Sequence, residues 1–136
     1  MAETKTAPAA ASPPGVVKAG NGNYYFDFGT IQPIKGGSEY SSAFGGCVEG
    51  ERMMVALMRM PTGTGSDPHS HPNEQWIYLL EGTMEFTIDG KPKTATAGSL
   101  IYIPSNVIHN ARVTSKDDVV FFTVKDTSYG LAGIKA

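Results

Sequence analysis

The chain has almost no cysteine. Cys47 is the single one in 136 residues, so no intramolecular disulfide can form and an oxidising compartment is not required. Charge is also scarce. Only 18% of residues are charged, 11 Lys and Arg against 13 Asp and Glu, giving a formal net charge of −2. That balance leaves no electrostatic footprint for nucleic acid, and no Lys/Arg cluster is present to draw the chain to an anionic membrane. Long hydrophobic runs are missing too. Stretches such as Trp76–Leu80 fall far short of the ~20 apolar residues that a membrane-spanning helix needs. These absences lead us to expect a cytoplasmic protein without nucleic-acid or membrane partners.

Glycine and proline, by contrast, are plentiful: 16 and 9 residues. They imply frequent turns and suit an all-β domain better than a helical bundle. At roughly 100–200 residues per domain the length makes one domain. Such a chain can bury about two-thirds of its unfolded surface, enough for a core without disulfides. Residues 1–15 (MAETKTAPAAASPPG) carry no bulky apolar group after Met1. They read as a flexible tail, here taken to residue 20, with the folded domain over 21–136. A signal peptide would need a basic leading segment and a stronger apolar run.

From Tyr24 onward, short apolar or alternating runs are cut by turn residues. Strands are expected at Tyr24–Phe28, Met53–Met60, Trp76–Leu80, Thr83–Asp89, Lys93–Thr96, Ser99–Ile103 and Val119–Val124. Asp89-Gly90 marks a tight turn. The glycine-rich stretch 36–50 and the stretch 61–68 read as loops, and the terminal SYGLAGIKA as a tail or a docked segment. Strands spaced by 8–12 residues point to a sandwich or barrel.

Three histidines are present: His69, His71 and His109. On a strand, side chains two apart share a face, so His69 and His71 can present two imidazoles to one point. If the strand runs on unbroken, the same face reaches Gln75, whose amide oxygen is a candidate third ligand. His109 could close the site from a neighbouring strand. Ordinary hydrogen-bonding histidines are the competing reading. Imidazole is, however, the commonest metal ligand.

Residues 63–82 read GTGSDPHSHPNEQWIYLLEG. This resembles the first cupin motif: Gly63, five residues, His69-x-His71, then Gln75 in the place of the family's acidic ligand, six residues, and Gly82. Residues 98–113 resemble the second motif through Gly98, Pro104 and His109. Asn106 replaces the family's glycine and Val113 its asparagine; asparagine tolerates a positive φ. The resemblance implies a single-domain, all-β cupin jelly roll holding one divalent transition-metal ion (Fe, Zn, Ni or Mn) on His69, His71, Gln75 and His109 inside the barrel mouth. The His-x-His-Pro-x-Glu-Gln run is locally similar to the uronate ring-opening cupins.

With an amide for the carboxylate, such a site keeps the full +2 of the ion, which makes it a stronger Lewis acid. Metal binding should weaken below pH ~6.5, where free imidazole protonates. Glu74 is an alternative ligand or a catalytic base. Arg59 and Tyr102 are candidate substrate-binding residues. The methionines of Met53–Met60 read as core, Cys47 as an inert buried thiol, and the loop around Glu39–Phe44 as a plain surface loop, with a cover for the mouth as the alternative. Three functions are compatible with this set. One is a metal-dependent isomerase or lyase acting on a small carbonyl, hydroxy or sugar acid. Another is an Fe(II) dioxygenase acting on a small diketone, phenol or thiol. The third is a non-catalytic small-ligand carrier. A homodimer is expected, with Tyr24–Phe28 as the pairing edge.

Overall fold

Alternation of inward and outward side chains organises nearly every element. The structure, a computed structural model, describes residues 14–136; the expected tail over 1–13 lies outside the described residues. Twelve strands are found among them: β1 (Val17–Lys18), β2 (Ile34–Lys35), β3 (Phe44–Glu49), β4 (Met53–Met60), β5 (Gly65–Ser70), β6 (Gln75–Glu81), β7 (Thr83–Ile88), β8 (Lys91–Thr96), β9 (Leu100–Ile103), β10 (His109–Val113), β11 (Val119–Asp126) and β12 (Ile134–Lys135). They form two sheets. The larger runs β1-β3-β4-β11-β6-β9, with β2 also on β3; the smaller runs β12-β5-β10-β7-β8. No helix among the described residues is long and apolar enough to cross a membrane.

The core lies between the sheets. Strand β4 turns Met54, Ala56, Met58 and Met60 inward, while Met53 is left half-exposed. Strand β11 turns in Val119, Phe121, Thr123 and Lys125. Facing them, β7 and β10 contribute Met84, Phe86, Ala111 and Val113. Along β11 the inward row therefore passes from apolar to polar. One end of the sandwich is sealed by groups such as Leu79 and Val119, both fully buried, and the other end is polar. Asp89 and Gly90, at φ 53° and 74°, make the tight turn expected between β7 and β8.

Three expectations are corrected. The segment expected as tail up to residue 20 includes a short strand: Val17 and Lys18 pair in parallel with Val48 and Glu49. Tyr24–Phe28 is not a strand. Tyr24 and Tyr25 lie largely in solvent, and the Asp27 carboxylate accepts from the Gly29 N–H at 2.9 Å to start a 3₁₀ turn at Phe28–Thr30. A capping aspartate here outweighs the aromatic preference for strands. Conversely, Phe44–Glu49 is a strand within the larger sheet. Its glycines are there for space, since a Cβ on Gly45 would stand 1.9 Å from the Leu57 carbonyl oxygen.

Candidate metal centre

The polar end of the sandwich is assembled from both sheets. His69 on β5 and His109 on β10 are direct cross-strand partners, with ring centroids 4.2 Å apart. Between His109 and Ala111 the pairing shifts register, because β5 carries an extra residue at the Asp67-Pro68 step. Pro68 cannot donate to the ladder, and bulges are where strands tolerate it. The bulge keeps Ser66 and His69 on the same buried side. His71 follows the end of β5, its ring 4.9 Å from that of His109. The ligand-capable nitrogens of the three lie within 4.8 Å of one another.

Gln75 does not reach the cluster by continued alternation. The chain leaves β5 after Ser70, crosses through residues 71–74, and Gln75 opens β6 in the opposite sheet. The centre thus spans the interior, with three imidazoles on one wall and the amide on the other.

Hydrogen bonds set the state of every donor atom. The Nδ1–H groups of His69, His71 and His109 donate to the carbonyls of Asp67, Asn73 and Val107 at 2.7, 2.8 and 2.9 Å. A carbonyl only accepts, so the proton of each neutral ring sits on Nδ1 and each Nε2 offers a lone pair. The Thr123 hydroxyl donates to the Trp76 carbonyl at 2.8 Å and accepts from the Gln75 amide N–H at 2.8 Å. This relay turns Gln75 Oε1 toward His71 Nε2, 3.1 Å away. Both of those atoms are acceptors. His109 Nε2 is buried and has no hydrogen-bond partner among the described residues. Lone pairs that converge with no proton between them fit a cation among them, and the four side chains could hold a divalent metal ion.

Burial holds the rings neutral. It brings His69 from 6.5 down to about 4 and His71 to about 3, and it lowers His109 as well. The onset of proton competition with a metal therefore lies below the 6.5 expected for free imidazole.

The second motif locks the first in place. Asn106 adopts φ 65°, and its N–H donates to the His71 carbonyl at 2.8 Å. Tyr40 belongs to the stretch read as a plain surface loop, yet it is buried: it stacks on His69 at a centroid distance of 4.0 Å, and its hydroxyl accepts from the Gly133 N–H at 2.6 Å. The C-terminal segment is docked: β12 pairs with β5, Ile134 opposite Ser70 and Lys135 opposite His69. The cavity so enclosed has about 70 Å³ of space and a largely apolar wall that includes Ile77, Met84, Phe86 and Phe121.

Glu74, Tyr102 and Arg59 are not brought to this cavity, whose lining includes none of them. Glu74 is exposed and accepts from the Tyr102 hydroxyl at 2.5 Å. Arg59 is half-exposed and lies 3.5 Å from the Asp118 carboxylate. Cys47 is buried, and desolvation pushes its thiol up to about 11, which suits an inert group.

Two buried residues escaped the sequence reading. Asn73 donates from Nδ2 to the carbonyls of Asp126, Tyr129 and Gly130 at 3.0, 3.4 and 3.3 Å, which ties the motif loop to the C-terminal segment. Lys125 lines the cavity, and burial lowers its ammonium to about 8. Its charge reaches all three histidines. Inward alternation from Val119 would have found it had the strand been continued past Val124.

Comparison with known proteins agrees with this architecture. The family model described as "Cupin domain" matches residues 56–125. The chain is 32% identical over 82 residues to a mannose-1-phosphate guanylyltransferase of Salmonella montevideo, covering 59% of this chain but 17% of that enzyme. Among solved structures, the cupin domain of Cnp3 from Schizosaccharomyces pombe has a TM-score of 0.65 at 13% identity, covering 76% of this chain and 73% of that one. A predicted oxalate decarboxylase from Thermotoga maritima has a TM-score of 0.62 at 20% identity, covering 74% and 96%. These similarities in structure establish a shared fold, and the match to more than half of the sequence establishes kinship: the chain belongs to the cupin domain family.

Proposed function

We propose that this cupin is a metal-dependent enzyme that binds one divalent transition-metal ion on His69, His71, His109 and Gln75. Its substrate is a small oxygen-rich molecule, which it isomerises or cleaves without redox chemistry. The observation that carries this reading is the opposition of His71 Nε2 and Gln75 Oε1 at 3.1 Å, beside the unpartnered Nε2 of His109. Four neutral donors leave the ion its full charge, so when bound it supplies Lewis acidity toward a carbonyl or hydroxyl oxygen.

The chain's own residues do the rest. Carbonyl acceptors at Asp67, Asn73 and Val107 orient the rings, as outer partners of metal-bound histidines usually do. Tyr40 and the docked C-terminal segment exclude bulk water. The apolar wall holds the substrate's carbon skeleton. We place a second copy of the chain against the outer face of β6 and β9, where Trp76, Tyr78, Leu80, Leu100 and Tyr102 are 40–61% exposed. Strand β9 ends the larger sheet, and a two-fold pairing of like edges is self-complementary.

The test is elemental mass spectrometry on untagged protein purified without chelator. About one ion per chain in the wild type, lost in His71→Ala, is expected. A metal-free protein after reconstitution would sink the reading. Turnover that strictly requires O₂, with iron in the site, would replace it with the dioxygenase reading.

A further inference from the structure

Lys125 is the one charged side chain lining the cavity, and no Asp or Glu lines it among the described residues. It is 5% exposed and stands in register with Gln75 across the β11–β6 pair. Its Nζ donates one hydrogen bond, to the Leu131 carbonyl at 2.5 Å. An ammonium has three donors, so two remain for a ligand. Burying an ammonium against a single neutral acceptor is costly. A structural tether to Leu131 would need only a neutral donor. The neighbouring Thr123 hydroxyl is already committed to Gln75 and Trp76 and cannot neutralise the charge. What the cavity lacks is an anion, and at about 70 Å³ it has room for a handful of water-sized groups.

We propose that Lys125 is the specificity residue of this centre, its ammonium taking the carboxylate of a small organic acid whose remaining oxygen faces His69, His109 and Gln75, which line the same cavity. This deepens the function proposed above and rests on the same cavity being the ligand site. The acid's carboxylate supplies the missing counter-charge. The apolar wall rejects larger polar groups, and the enclosing Tyr40 and Leu131 limit length.

Calorimetric titration of the metal-loaded protein with glycolate and with its neutral counterpart glycolamide tests the assignment, with formate and oxalate as further acid probes. Wild type should bind at least one acid, and glycolate about tenfold or more tighter than glycolamide. Lys125→Met should erase that preference at unchanged metal content, and Lys125→Arg should keep most of it. If Lys125→Met does not fold, Lys125→Gln replaces it with the same expectation. The proposal is overturned if no acid binds wild type, if acid and amide bind alike, or if the charge-free variant keeps the preference. Metal content of the same samples separates the two readings. A wild type that never holds metal yet prefers glycolate removes the function proposed above and leaves the role of Lys125 standing.

Discussion

His71 Nε2 and Gln75 Oε1 face each other at 3.1 Å, a lone pair on each and no proton between. Within the metal-free chain this contact is repulsive, and the Thr123 hydroxyl enforces it by holding the amide nitrogen on the other side. Gln75→Leu should remove one donor and weaken metal binding by about tenfold or more. Gln75→Glu should strengthen it, because a carboxylate adds attraction to the cation. Competition with a coloured chelator ranks the three proteins, and an order other than Glu, Gln, Leu would refute the ligand role.

Thr123→Val keeps the shape of the side chain but strands the Gln75 amide N–H. The unpaired donor should cost about 1–3 kcal/mol of stability. The freed amide should lower metal affinity by about tenfold. Urea denaturation and chelator competition read the two effects separately.

The histidines predict a pH window with a definite sign. Their folded values, about 4 for His69 and about 3 for His71, lie below the ordinary 6.5. As pH falls below about 6.5, the unfolded chain takes up protons that the folded chain refuses. The stability present above that pH is lost progressively toward about 4 and then 3. Metal-free protein should therefore denature at lower urea at pH 5 than at pH 7.5. Metal occupancy, measured after dialysis at each pH, should persist at pH 5.5 and fall on approaching 4.

Asn73→Ala should free three carbonyls of the C-terminal segment at once. A loss of about 1–3 kcal/mol is expected from the broken buried bonds. Hydrogen exchange should quicken over residues 127–136 while the amides of β4 and β11 keep their protection. Uniform acceleration across the chain would show that the loop is not the weak point.

The proposed dimer face is tested by Leu100→Lys, with light scattering as the readout. Wild type should have twice the chain mass, and the variant should shift to the monomer, because a charged edge strand resists pairing. A monomeric wild type would discard the interface.

Motif spacing made His69, His71, His109 and Gln75 legible in the sequence, and turn chemistry made Asp89-Gly90 and Asn106 legible. The route by which Gln75 arrives was not legible. Alternation suggested one continuous strand, whereas a bulge at Asp67-Pro68 and a crossing at 71–74 carry the chain into the other sheet. Gly45 and Gly46 argue against a strand at 44–49 in the sequence, because the close approach of Leu57 to the first and of Ile31 and Phe28 to the second is a tertiary fact. Lys125 was hidden for a related reason. A lysine at a strand's end reads as solvated, although the alternation of β11 puts it on the inward row with Val119, Phe121 and Thr123.

The pairing of Met53 with Asp126 and of Met60 with Val119 along β4 and β11 also has a consequence in time. That ladder joins two segments far apart in the sequence, and pairings so distant along the chain form slowly because loop closure precedes any reward from contact. Thr123 and Lys125 ride on its later-synthesised strand. A chain still emerging from the ribosome can expose His69 and His71 long before the partners that orient Gln75 exist. The complete centre is therefore a product of finished folding, and an ion added early meets only an open pair of imidazoles.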